Sequence, residues 1–142
     1  GNCGDAMRGA AAAAPPRGQR RVLVIGNTIL DTIIEVPHTP MGSKVAASSR
    51  ANYVGGQAAN AAQAMALLGL GVDFATRLGD DEGAATAEAH LAKCGVDLAP
   101  SESLRVAGAR TSSAAVIVAA DTAQRTCFMH FDDALTSAPA DA

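Results

Sequence analysis

Aromatic residues make up only 3% of this 142-residue sequence, and tryptophan is absent. Proteins that grip nucleic acid rely on stacking aromatics or on a basic stripe. Here 11 basic residues stand against 14 acidic ones, a net charge of −3, and neither sign gathers in a block. No nucleic-acid partner is therefore expected. The cysteines are few and odd in number: Cys3, Cys94 and Cys127 lie far apart with no CxxC pair, which argues against a disulfide scaffold or a zinc site. His38, His90 and His130 are isolated from one another and from the cysteines, so no metal site is expected. There is no run of 18 apolar residues, and hence no expected membrane span. The phosphate-binding loop GxxxxGK[ST] is also missing. A dinucleotide fingerprint fails early, because Gly26 stands alone after the first apolar run and is followed by Asn27, Thr28 and Ile29.

What is present points to an ordered domain. Hydrophobic residues reach 49%, although alanine, which buries little area per residue, supplies much of that fraction. A chain of this length buries roughly 68–70% of its unfolded surface, enough for one core. Residues 1–20 differ in character, being rich in Ala, Pro and Arg with one acid. That composition is like a transit peptide, but Pro15 and Pro16 break the helix such a signal forms, so a disordered leader, or a translated stretch upstream of a true start at Met7, is expected.

From there the pattern alternates. Val22 to Ile25 reads as a strand buried on both faces, and Ile33 to Val36 as a short peripheral strand cut off by Pro37 and Pro40. Lys44 to Val54 reads as a second peripheral strand. Gln57 to Leu68 contains no helix breaker and is followed by Gly69 and Gly71, so a small-sided helix is expected there. Val72 to Leu78 reads as a strand. Asp80 or Asp81 can cap a second helix that Gly95 ends. Ser113 to Ala119 and Arg125 to Phe131 have the spacing of a hairpin. The order predicts an α/β domain with a small auxiliary sheet.

The residues that carry chemistry are Asp31 and the segment GGQAANAA, Gly55 to Ala62. Paired glycines let backbone approach a ligand closely, and the first turn of the following helix offers unpaired N–H groups. Asn60, one turn in, can donate and accept, which suits a hydroxyl that must do both. Asp31 can accept two hydrogen bonds from adjacent hydroxyls. Carboxylate plus amide describes a polyol-reading pair. Asp80 and Asp81 offer a base or metal pair on paper, but their place at a helix start favours capping.

Taken in order, GGQAANAAQAMALLG, a strand, GDDEG and a helix ending CGVD resemble the first half of the PfkB, or ribokinase-like, sugar kinases. That family's pattern is GG-x-x-x-N-x-A, a Leu-Gly pair, a GDD turn and a G-V/I-D. The likeness runs from about Arg21 to His130. It implies a ribokinase-like fold, a Rossmann-like α/β core with a β-sheet lid, of which only the N-terminal part is present. It further implies transfer of phosphate from ATP, with Mg2+, to a sugar hydroxyl. Asp31 matches the family's sugar-binding aspartate, and Gly55, Gly56 and Asn60 match its GG and Asn. Gln57 stands where ribokinase itself has lysine, and Ile29 where ribokinase has a sugar-contacting asparagine. The lid would come from residues near 33–36, 44–54 and 112–131, bringing Thr111, Ser112 and Ala114 within range of the sugar. A homodimer through the lid sheet is compatible with that arrangement.

The family's catalytic aspartate sits in a GAGD-type motif, which this sequence lacks. The expectation is therefore a cytoplasmic carbohydrate kinase represented by its sugar-binding part, residues 21–131, with residues 132–142 a truncated tail. Such a part alone would bind neither ATP nor metal and would not turn over. The alternative is a non-catalytic sugar-binding or regulatory module.

Overall fold

The computed structural model describes residues 21–39 and 41–136, so the expectations for residues 1–20 and 137–142 fall outside the described residues. Strand β1 (Arg21–Ile25) is followed by β2 (Ile29–Val36), β3 (Ser49–Gly55), helix α1 (Gln57–Leu67), β4 (Gly71–Ala75), α2 (Glu82–Lys93) and β5 (Val96–Asp97). A 3₁₀ helix (Ala99–Leu104), the hairpin strands β6 (Ser113–Ala119) and β7 (Arg125–His130), and a single turn α3 (Asp133–Thr136) complete the order.

Two sheets result. The first is parallel, in the order β1-β4-β5. Both helices cover its face carrying Val72 and Phe74, which are fully buried together with Leu91, Ala59, Ala62, Ala84 and Ala87. The many alanines now have a physical use, since their short side chains let α1 and α2 approach the sheet and each other closely. Polar groups inside this layer are matched: Gln63 donates to the carbonyls of Val54 and Ala59 and accepts from His90 Nε2 at 2.9 Å. At the start of the strands, Arg21 holds Asp73 through two nitrogens at 2.7–3.0 Å and reaches Asp97 at 3.2 Å.

The opposite face of this sheet is uncovered by the described residues. Leu23 is 58% and Ile25 73% exposed, so β1 is an edge strand buried on one face and not on both. Only Val24 of its apolar run packs against the core.

The second sheet has the order β3-β2-β6-β7, with β2 and β6 parallel and the other pairs antiparallel. The strand expected over Ile33–Val36 begins at Ile29 and is interior to this sheet, because nothing between Thr28 and Pro37 breaks an extended chain and both its edges find partners. On its neighbour, pairing starts only at Ser49, and residues 44–48 are irregular. β4 ends at Ala75, earlier than the expected Leu78, because Thr76 turns its N–H to Ser101 Oγ and its hydroxyl to Thr28. β5, two residues long, occupies what reads in the sequence as a connection.

Among the described residues no helix is long and apolar enough to cross a membrane, and no group of three or more His, Cys, Asp or Glu gathers as a metal site.

Candidate functional site

Asp31 lies mid-strand on β2, paired in register with Tyr53 on one side and Ala114 on the other. Strand alternation then puts Ile29, Asp31 and Ile33 on one face of the second sheet. Beside them, β3 runs straight into α1 at Gly55 and Gly56. A side chain at Gly55 would collide with the Asp31 carboxylate, and a Cβ at Gly56 would come within 2.8 Å of the Asn27 carbonyl. Gly56 also has φ +94°, in the left-handed region that a residue with a Cβ resists. Gly56 is thus required by how tightly β2 and the helix start are drawn together, while a side chain at Gly55 would displace the Asp31 carboxylate.

Gly56 is the N-cap of α1, and no side chain caps that helix or places an acid in its first turn. Its first N–H groups and the positive end of its dipole are left open. They open onto a cleft of about 490 Å³ lined by Asn27, Ile29, Asp31 and Ile33, by Gly56, Gln57 and Asn60, and by the inward residues of the hairpin. Those hairpin residues are Ala114 and Val116 on β6, then Arg125, Cys127 and Met129 on β7, with Phe131 at the end.

Within this cleft the polar side chains are unspent. Neither the Asp31 carboxylate nor the Asn60 amide has a hydrogen-bond partner among the described residues. Partial burial without a compensating donor pushes the Asp31 carboxyl above the ordinary carboxylate range. A ligand bringing hydroxyl donors would relieve that cost.

The other residues singled out from sequence go elsewhere. Gly55 lies buried beneath Asp31. The Thr111 hydroxyl donates to Asp81 Oδ1, and the Thr111 N–H to Asp81 Oδ2 at 3.1 Å. Ser112 lines a second, mainly apolar cavity of similar volume at the ends of β1 and β4, together with Ile25, Ala75 and Leu104. Asn27 and Phe131 border both cavities. Asp81 caps α2 by accepting from Ala84 N–H at 3.0 Å. Burial raises its pKa, but the hydrogen bonds from Thr111 and Ala84 outweigh that and hold the carboxyl below its usual range. Asp80 accepts from Gly108 N–H.

Arg125, Cys127 and Met129 were not among the residues singled out from sequence. Their alternation along β7 was visible, but the side they take follows from the antiparallel register with β6, in which Val118 opposes Arg125 and Val116 opposes Cys127.

The sequence profile of the pfkB family of carbohydrate kinases matches residues 19–141. This chain belongs to that family. Its fold is correspondingly similar to solved ribokinase structures. A putative ribokinase from Agrobacterium tumefaciens aligns over 88% of this chain and 40% of its own, with 26% identity and a TM-score of 0.73. Ribokinase from Cryptococcus neoformans var. grubii serotype A, solved with ADP, aligns over 79% of this chain and 35% of its own at 26% identity and TM-score 0.65. Arabidopsis thaliana ribokinase, solved with ribose and ATP, gives 25% identity, TM-score 0.62, and coverage of 79% of this chain and 36% of its own. The pfkB chain described here thus spans 35–40% of the length of these three structures. Its α/β architecture is the ribokinase-like fold expected from the sequence, in its N-terminal part.

Proposed function

We propose that this pfkB-family chain supplies the acceptor-sugar site of an ATP-dependent carbohydrate kinase, with the nucleotide-binding and catalytic parts lying outside these 142 residues. The observation that carries this reading is the pair of unspent polar side chains, Asp31 and Asn60, facing one cleft at the open N-terminus of α1. Asp31 accepts from two neighbouring hydroxyls of the sugar. Asn60 donates to one hydroxyl oxygen and accepts from another, and Gln57 extends the same polar wall. The cleft would bind a polyol and orient it, which is the positioning part of phosphoryl transfer.

ATP and Mg2+ would be required by the whole protein, but the described residues do not fit them. Asp80 and Asp81 are committed to backbone donors and to Thr111, and no phosphate-cradling motif is present in the sequence. No step of the chemistry is assigned to this chain. A cytoplasmic location suits a sugar kinase. Pairing through the second sheet suits its two edge strands, β3 and β7, with Phe128 exposed on the face away from the cleft.

Calorimetric titration with a sugar panel tests the proposal. Saturable binding is expected, falling about a hundredfold or more in Asp31→Ala and about tenfold in Asn60→Ala, consistent with lost hydrogen bonds to a charged and a neutral group. Absence of binding to any sugar sinks the reading. ATP-dependent turnover by the purified 142-residue chain would instead refute the placement of catalysis elsewhere. A stand-alone binding module is disfavoured by Leu23 and Ile25, which the described residues leave uncovered and a self-sufficient domain would bury.

A further inference from the structure

The acceptor cleft is built across a border. Asp31 stands on β2 in the second sheet, whereas Gly56, Gln57 and Asn60 belong to the start of α1, which packs on the first sheet. The distance between carboxylate and amide therefore depends on how the second sheet is fixed to the parallel layer. Its two inner strands leave that layer through buried residues, Thr28 just before β2 and Thr111 shortly before β6. Thr28 shares a hydrogen bond of 3.0 Å with Thr76, between neutral hydroxyls. Thr111 donates its hydroxyl to Asp81 Oδ1 at 2.6 Å and its N–H to Asp81 Oδ2 at 3.1 Å, and its hydroxyl oxygen accepts from Gly79 N–H at 3.2 Å. Of the two joints, only this second one is charged.

A helix cap needs one accepted bond, and Asp81 supplies it to Ala84 N–H at 3.0 Å. Both bonds to Thr111 are additional, and a hydroxyl given to a carboxylate at this length is among the stronger kinds of hydrogen bond. What they secure lies one residue further on. The Ser112 carbonyl accepts from Leu30 N–H at 2.9 Å, and from there the parallel pairing of β2 with β6 runs through Leu30 beside Ser113 to Asp31 beside Ala114. The first turn of α2 also bears on Leu30 directly, since a Cβ at Gly83 would come within 2.7 Å of Leu30 Cδ1. The residue that precedes Asp31 is thus held by α2 from two sides. Asp81 itself does not line the cleft.

We infer that Asp81 and Thr111 are positioning residues for the acceptor sugar: their paired hydrogen bonds set Asp31 at its working distance from Asn60, and neither residue touches the ligand. This rests on the acceptor-sugar reading of the cleft. A bound polyol spans carboxylate and amide at once, and hydrogen bonds weaken steeply when misaligned, so a small drift of β2 and β6 loosens both ends of the grip. A carboxylate is needed at position 81 because one group accepts from the cap N–H, the Thr111 hydroxyl and the Thr111 N–H together. An amide replaces one of its two acceptor oxygens by a donor. Thr111, expected from the sequence to approach the sugar, acts from behind it.

The experiment titrates the 142-residue chain calorimetrically with glucose, fructose and ribose, and follows amide hydrogen exchange at Leu30 in the unliganded chain. Thr111→Val keeps the side-chain shape and removes the hydroxyl. It should weaken binding of whichever sugar the parent takes by roughly three- to tenfold, and speed exchange at Leu30. Asp81→Asn keeps the cap oxygen and should have the same two effects, so it carries the test if Thr111→Val does not fold. Thr111→Ser restores the hydroxyl and should bind within about twofold of the parent. Val72→Ala is the comparison: it loosens the buried parallel layer, and should lower the melting temperature while leaving affinity unchanged. Parental affinity, or unchanged exchange at Leu30, in the Thr111→Val and Asp81→Asn variants overturns this inference and leaves the sugar-site reading intact. So does a Val72→Ala variant that loses as much affinity, or a Thr111→Ser variant that fails to recover it. Failure of every sugar to bind removes both.

Discussion

The two sheets of this chain treat their polar groups in opposite ways. In the parallel sheet and its helices, charged and polar side chains are answered from within: Arg21 by Asp73 and Asp97, Thr28 by Thr76, Gln63 by His90 and two carbonyls. Around the cleft, Asp31 and Arg125 on the second sheet and Asn60 at the start of α1 have no side-chain partner among the described residues. A folded chain tolerates unanswered polar groups only where solvent or a ligand can answer them. One layer is organised for stability, and the other holds its chemistry in reserve.

Substitutions can break or sharpen that contrast. The largest effect is expected from Phe74→Ala, which empties the centre of the parallel layer and should cost about 3–5 kcal/mol. Phe128→Ala, on an exposed strand of the second sheet, should stay within about 0.5 kcal/mol. Chemical denaturation of the two variants side by side measures this, and comparable losses would dissolve the distinction. Next comes Asp81→Ala, which removes the α2 cap and the Thr111 tie and should cost about 1–2 kcal/mol. Because the native environment lowers the Asp81 pKa, its contribution is present above the unfolded value near 3.8 and is lost as pH falls through the lower native value. The gap between parent and variant should therefore narrow in acid, and a gap that widened there would contradict the capping role.

The smallest effect has the opposite sign. Folding raises the Asp31 pKa, so its contribution to stability is greatest below about pH 3.8 and declines as pH rises through the raised native value. Asp31→Asn removes that decline. Since the group is largely solvated, melting at pH 7 should rise by only about 1–3 °C, shrinking towards nothing near pH 3, while sugar binding is lost. A variant that melts lower at pH 7 would mean that the carboxylate does structural work.

Much of the parallel layer could be read directly from the sequence. The helices are bracketed by local signals, namely Asp81 before α2 and the positive-φ glycines Gly69 and Gly95 after each helix. β5 escaped notice because two residues carry no periodicity, and the one-sided burial of β1 because an apolar run does not reveal which faces are covered. The half of the cleft built from Asp31, Gly56, Gln57 and Asn60 was legible because its chemistry lies in one short motif and one strand. Arg125 was not. Its relation to Asp31 passes through β6, and no local pattern encodes a register between strands so far apart in sequence.

That same pairing of β2 with β6, Leu30 beside Ser113, sets the order in which the molecule can assemble. The β4–α2–β5 unit closes between Gly71 and Asp97 from neighbouring segments, whereas the cleft floor waits for a strand made some eighty residues later. Loop closure over that span adds only about 0.6 kcal/mol for each doubling of length, so the cost in equilibrium stability is slight. The cost in time is larger, because non-local strand pairing is slow. During synthesis on the ribosome, this cleft therefore takes shape after the layer that supports it.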